Sequence, residues 1–195
     1  LKEDDMGPFA VLFVIIAGFV VLLGIFLIAA YNALVTLRNL VKNSWANIDT
    51  ELRRRYDLIP NLVETVKAYA AHERGVFEAV TQARARAMAS TGSPASQARD
   101  ENQLVSALKS LFAVSERYPG LKASDNFLKL QQELVDTEDR IQTARRFYNG
   151  NVKDLNTRCD IFPSNLVAAM FGFTHADYFE VDSLQVRAPV QVSFK

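Results

Sequence analysis

The sequence predicts an all-α protein: a single N-terminal transmembrane helix, a long antiparallel four-helix bundle and a short extended C-terminal tail. Three observations carry this. One uncharged apolar run lies near the start, apolar residues beyond it recur at alternating steps of three and four, and period-two alternation appears at the end, over residues 183–194. The segments that follow are an N-terminal tail at 1–8, a membrane helix at 9–30, a bundle domain at 31–173 and a tail at 174–195.

The apolar run "FAVLFVIIAGFVVLLGIFLIAA", Phe9 to Ala30, holds 22 residues inside a charge-free stretch from Met6 to Leu37. At 1.5 Å per residue it is roughly 33 Å long, enough to cross a hydrocarbon core of about 30 Å. A cleaved signal peptide has a shorter apolar region, about 7–15 residues, behind a basic start. Here the start is acidic, with Glu3, Asp4 and Asp5, so a retained single-pass anchor is expected. Lys2 is the sole basic residue on the amino side, while Arg38 and Lys42 follow the run closely. That bias puts the C-terminal domain in the cytoplasm.

Beyond the run, Trp45, Ile48, Leu52, Ile59, Leu62, Val66, Tyr69, Val76, Val80, Ala83 and Ala87 form a helical stripe. "STGSPAS", residues 90–96, breaks it, and Pro94 is placed to open the next helix. That helix buries Leu104, Leu108, Leu111, Phe112 and Tyr118 and ends at "YPG", residues 118–120. The last long helix carries Phe127, Leu130, Leu134, Ile141, Ala144, Tyr148, Val152, Leu155, Cys159 and Phe162, and Pro163 closes it.

Pro60 interrupts the best part of the first stripe. Inside a helix it removes a hydrogen bond and kinks the axis, at a cost of about 3 kcal/mol. Alternatively the chain turns at Asp57, Pro60 and Asn61, and Asn61 to Glu64 start a new helix with a pair resembling a capping box. The turn is expected, because it yields four amphipathic helices and lets Trp45, Ile48 and Leu52 bury their faces within the chain. Arg53, Arg54 and Arg55 then form the solvated rim of the bend, available for partner or lipid-headgroup contact. Replacing all three by Gln is expected to leave stability nearly unchanged.

The turn also returns the fourth helix to the bilayer. Asn165 to Phe173, "NLVAAMFGF", is apolar and uncharged, so it either caps the open end of the bundle or lies in the headgroup region. Both place Phe171 near the membrane, whereas an unbroken first helix is expected to carry it to the far end. In the tail, Val186, Ala188, Val190, Val192 and Phe194 alternate on one side, and Pro189 restricts them to an edge. Such a strand pairs with a neighbouring subunit's tail or a partner's sheet edge; otherwise the end is disordered.

No catalytic arrangement is visible. His72 and His175 are far apart and lack the companions of zinc or di-metal motifs. Glu133, Asp136, Glu138 and Asp139 read as a solvated face, and Cys159 as a small buried hydrophobe. Twenty-two basic and 22 acidic residues balance, which argues against nucleic acid as a partner. No enzyme activity, cofactor or metal is expected.

The motifs "YNALVTLRNLVKNSWANID", "RRRYDLIPNLVETVKAYAAHE", "LFAVSERYPGLKASDNFLKLQQELVDTEDRI", "ARRFYN" and "FPSNLVAAMFGF" occur in this order. Over nearly its whole length the chain resembles the LemA family of bacterial membrane-anchored helical proteins. Trp45, Asp57, Pro60, Asn61, Glu64, Tyr118, Glu138 and Tyr148 are among the positions that carry the likeness. The resemblance implies an N-terminal anchor in the bacterial inner membrane and a long-helix bundle; it transfers no catalytic or ligand residue. Family members are associated with membrane proteases or membrane remodelling, and one branch is similar to a protein needed to form magnetosome membranes. Two functions follow as expectations. One is a self-associating scaffold that organises or remodels membranes, with the bilayer and other copies of itself as partners. The other is an accessory subunit that modulates a membrane protease or transport machine.

Overall fold

The computed structural model describes residues 8–182 and Leu184. Its helices are α1 (Pro8–Lys67), α2 (Arg74–Ala89), α3 (Pro94–Ser115), α4 (Pro119–Lys122), α5 (Asp125–Asp160) and α6 (Ser164–Met170), and no strand occurs among the described residues. The chain forms two compact units. The first comprises Leu1–Val41 and Val152–Ala176, the second Lys42–Asn151 and Asp177–Lys195. Helices α1 and α5 contribute residues to both.

The second unit is the antiparallel bundle. Arg55 bonds Glu138 and Asn151 bonds Ser44, so α1 and α5 run in opposite senses. Arg86 to Gln103 and Ser90 to Asp100 give the same relation for α2 and α3. The stripes read from the sequence supply the core: Ile48, Leu52, Ile59, Leu62 and Val66 of α1 are buried, as are Val80, Ala83, Leu104, Leu108, Leu134 and Ile141 of the other helices. Each large side chain so buried stabilises by about 1.5–3 kcal/mol. As expected, Pro94 opens α3, and the Ser93 side chain caps it by accepting from the Ser96 amide. Tyr69, expected on the stripe, is 47% exposed because it falls past the end of α1.

The expected turn at Asp57, Pro60 and Asn61 is absent. All three lie inside α1, which continues through Pro60 to Lys67, and the chain reverses at residues 68–73 instead. The reason is local chemistry supplied from a distance. Proline has no N–H, so the carbonyl four residues back, on Tyr56, loses its helical donor. Arg84 of α2 fills the place, its Nε donating to the Tyr56 oxygen at 2.7 Å. The freed carbonyl becomes a cross-helix bond, and the penalty that argued for a turn is largely offset. Because the reversal moves rather than disappears, the bundle still has four long helices.

A double-mutant cycle checks this coupling. Arg84→Leu should destabilise the protein by about 1–3 kcal/mol through the orphaned carbonyl. The same change on a Pro60→Ala background should cost about 1 kcal/mol less, because the backbone N–H of residue 60 then satisfies Tyr56. Equal costs on both backgrounds, measured by urea unfolding, would show that Pro60 and Arg84 are not coupled.

Candidate functional site

The three arginines part ways. Arg53 is exposed and pairs with Asp49 one turn earlier at 2.8 Å, and Arg54 is exposed. Arg55 is fully buried, which corrects its expected place on a solvated rim. Its guanidinium donates to Glu138 of α5 at 2.9 Å and also bonds Glu101 of α3. The Tyr56 hydroxyl bonds the other oxygen of Glu101, and Gln142 donates to the other oxygen of Glu138 at 2.6 Å. With Arg84 on the Tyr56 carbonyl, this cluster joins all four long helices. Glu138 therefore leaves the expected solvated face, while Asp136 and Asp139 remain exposed.

A single periodicity could not reveal this. Arg55 interrupts an apolar stripe, and an interruption reads as surface unless two carboxylates, 46 and 83 residues away, are known to face it. The signal present was negative: Glu101 and Glu138 also sit on the buried faces of their own helices, beside Leu104 and Ile141.

The first unit forms an apolar collar around the base of α1. Leu34, Leu155, Val167 and Ala168 make its core, and Leu27, Ala30, Leu37, Cys159 and Phe173 pack against them. Leu27 and Ala30 belong to the last turn of the apolar run, so the collar reaches the end of that run. Two phenylalanines clasp Tyr31, Phe171 at 4.8 Å and Phe173 at 5.9 Å between ring centroids, and the Arg38 guanidinium lies 5.0 Å over the Phe173 ring. Phe171 thus packs on Tyr31, the residue that follows the run, although α1 is unbroken. Within Asn165 to Phe173 burial divides by face. Val167 and Ala168 cap the collar core, whereas Leu166, Met170 and Phe171 are exposed, together with Ile161 and Phe162. The run itself has mean hydropathy 3.3 over its best 18 residues, none of them buried, and is a candidate membrane span by length and composition. Cys159 is half-buried; burial, aided by Asp160, raises its thiol pKa.

In the second unit residues 177–182 form neither helix nor strand and are held by side chains instead of a sheet. The Asn149 carboxamide donates to the Phe179 carbonyl at 3.1 Å and accepts its N–H at 3.0 Å. Asn102 does the same for the Glu180 carbonyl and the Asp182 amide. Of the tail residues proposed for pairing, Val186, Val190, Val192 and Phe194 lie outside the described residues.

These features define a membrane-associated all-α protein, with one candidate span leading into a braced helical bundle. The family model for the LemA family matches residues 44–194, and the chain belongs to that family. Among similar proteins, Magnetosome protein MamQ 2 of Paramagnetospirillum magneticum is 29% identical over 89% of this chain and 73% of its own length. Magnetosome protein MamQ of Magnetospirillum gryphiswaldense is 26% identical over 78% of this chain and 65% of its own. Protein LemA of Metamycoplasma hominis is 25% identical over 90% and 85%.

Two outcomes check the buried cluster. Arg55→Met leaves two buried carboxylates without their cation and should cost about 3–5 kcal/mol, whereas Arg53→Gln with Arg54→Gln should stay within about 0.5 kcal/mol. Equal effects in urea unfolding would place Arg55 outside the load of the bundle.

The second outcome is alkaline. Burial, and then the Glu101 charge, pushes the Tyr56 phenol far above its ordinary value of 10.0. Burial, with Asp177, pushes Tyr148 up to about 12. The folded state holds these protons more tightly than the unfolded chain, so their contribution is complete below pH 10 and is lost as pH rises toward 12. The unfolding midpoint should fall over that window, and Tyr148→Phe should flatten the fall. An identical pH profile for Tyr148→Phe would remove Tyr148 from the linkage.

Proposed function

We propose that this protein is a non-enzymatic scaffold, anchored in the bacterial inner membrane by Phe9–Ala30, that self-associates and organises or remodels membrane or membrane-protein assemblies. The observation that carries the reading is the collar. An exposed patch of Phe162, Leu166, Met170 and Phe171 sits beside the last turn of the candidate span, at the level where Tyr31 leaves it. Large apolar side chains at that position fit the boundary between headgroups and acyl chains. Arg38 lies eight residues beyond Ala30, about 12 Å along α1, and suits headgroup phosphates. The collar then enters one leaflet beside the span. The MamQ relatives, named as magnetosome proteins, support a role at membranes. The basic residues Arg38 and Lys42 favour a cytoplasmic bundle.

Tryptophan quenching tests the collar. Trp45 is the only tryptophan, so a chain with Trp45→Phe and Phe171→Trp reports on position 171 alone. In proteoliposomes, lipids brominated near the headgroup should quench it strongly, and more than lipids brominated at the chain ends. Quenching by aqueous acrylamide with none from either lipid would remove the collar from the bilayer. Purification in mild detergent separates scaffold from accessory subunit. A large homo-oligomer supports the first, and a small complex with a stoichiometric foreign protein would replace it with the second.

A further inference from the structure

The first unit carries a groove of about 610 Å³ between α1 and α5, and every residue that lines it belongs to that unit. Its floor is apolar: Ala33 and Leu37 are half-buried, and Ile161 is 44% exposed. Thr36 and Thr157 add hydroxyls, and Asp154 and Arg158 add one charge of each sign. Thr36 donates its proton to the Asn32 carbonyl at 2.9 Å. Asp154 stands four residues before Arg158, the spacing at which a helix pairs opposite charges. In α1, Asp49 and Arg53 have the same spacing and approach to 2.8 Å. Asp154 and Arg158 do not close in this way. Both are exposed, and among the described residues neither side chain makes an ion pair or a hydrogen bond.

The apolar run sets the depth of the groove. Ala33 to Leu37 lie about 5–10 Å beyond Ala30 along α1, and the headgroup layer reaches about 5–8 Å beyond the hydrocarbon on each side. The C-terminal end of α5 meets the run, since Cys159 and Leu155 share the collar with Leu27 and Ala30. From the run outward, the order along α5 is therefore Ile161, Arg158 and Asp154, at steps of about one turn. A phospholipid presents its parts in the same order: acyl chains, then phosphate, then in some headgroups an ammonium on a short ethylene link. The apolar floor suits the upper part of a chain, and a guanidinium suits phosphate. The Thr157 hydroxyl can donate to the same phosphate, and the outermost carboxylate suits the ammonium.

We propose that this groove holds the headgroup of phosphatidylethanolamine, with its phosphate on Arg158 and its ammonium on Asp154. The inference rests on the reading above that the collar lies in the bilayer, and it names the lipid that the collar selects. Asp154 sets the choice. A headgroup with no cation leaves that carboxylate beside further oxygens and, if anionic, beside a second negative charge. A quaternary ammonium has no N–H to donate to it and is held best by aromatic faces, none of which line this groove among the described residues. A primary ammonium satisfies it directly.

Native mass spectrometry tests the site on the full chain. The chain is released from nanodiscs holding equal parts of phosphatidylethanolamine, phosphatidylglycerol and phosphatidylcholine, and the retained lipids are counted. Wild type should retain phosphatidylethanolamine about tenfold over either competitor. Arg158→Gln should lower that retention about tenfold, and Arg158→Lys, which keeps the charge, should restore most of it. Asp154→Asn should still retain lipid but lose the preference for phosphatidylethanolamine. All three changes are on exposed side chains, and circular dichroism should show unchanged helix content. Equal retention of the three lipids by wild type, or retention unchanged by Arg158→Gln and Asp154→Asn, would overturn the site. A preference for phosphatidylglycerol that survives Asp154→Asn would give the groove to anionic lipid and overturn it too. The Phe171→Trp reporter separates this site from the collar. Quenching by brominated lipid without selective retention removes the site and leaves the collar in the bilayer, whereas loss of both removes both.

Discussion

The bundle depends on one buried cation. Arg55 is completely enclosed, and enclosing a guanidinium is tolerable only when its donors meet carboxylates in good geometry. Glu101 and Glu138 meet it from α3 and α5, and Tyr56 and Gln142 then occupy the remaining oxygens of those carboxylates. A one-residue slip of α1 would rotate Arg55 by about 100° around the helix and strand all three charges. Apolar packing tolerates such slips better, because methyl groups have no direction. The brace therefore selects register, and the apolar stripes supply most of the energy.

Proline belongs to the same device. Pro60 frees the carbonyl of Tyr56, and Arg84 ties it to α2, the one long helix that Arg55 itself does not bond. Two adjacent residues of α1 thus reach the other three helices, one through its side chain and the other through its hydroxyl and its carbonyl. A residue costly to a lone helix is used here to make a cross-helix bond that an unbroken backbone ladder would not leave open.

This explains which features the sequence disclosed. The apolar run, most of the amphipathic stripes, the break after Ala89 and the Pro94 start rest on local periodicity or turn chemistry and are where pattern placed them, whereas Tyr69 and Phe162 leave their stripes for the surface. The reversal at residues 68–73 was misplaced because the helical penalty of Pro60 is local and its remedy, Arg84, is 24 residues away. Arg55 and Glu138 were read as surface for a similar reason, since charge marks exposure unless its partners are known. Phe171 reached the base of α1 although the expected turn failed, because the helix count was conserved when the reversal moved. The hold of Asn102 and Asn149 on the segment after residue 176 has no periodic signature, since single asparagines in helices carry no mark of what they bind. The collar was half legible: an apolar, uncharged segment announces burial or lipid, and the structure shows which of its side chains are buried, Val167 and Ala168, and which are exposed.

Hydrogen exchange measured by mass spectrometry on the full chain in nanodiscs, wild type against Arg55→Met, tests the brace most directly. If Arg55 holds the four helices in register, peptides around Tyr56, Arg84, Glu101 and Glu138 should lose protection together and by similar factors. Loss confined to α1, with the α2, α3 and α5 peptides as protected as in wild type, would contradict it.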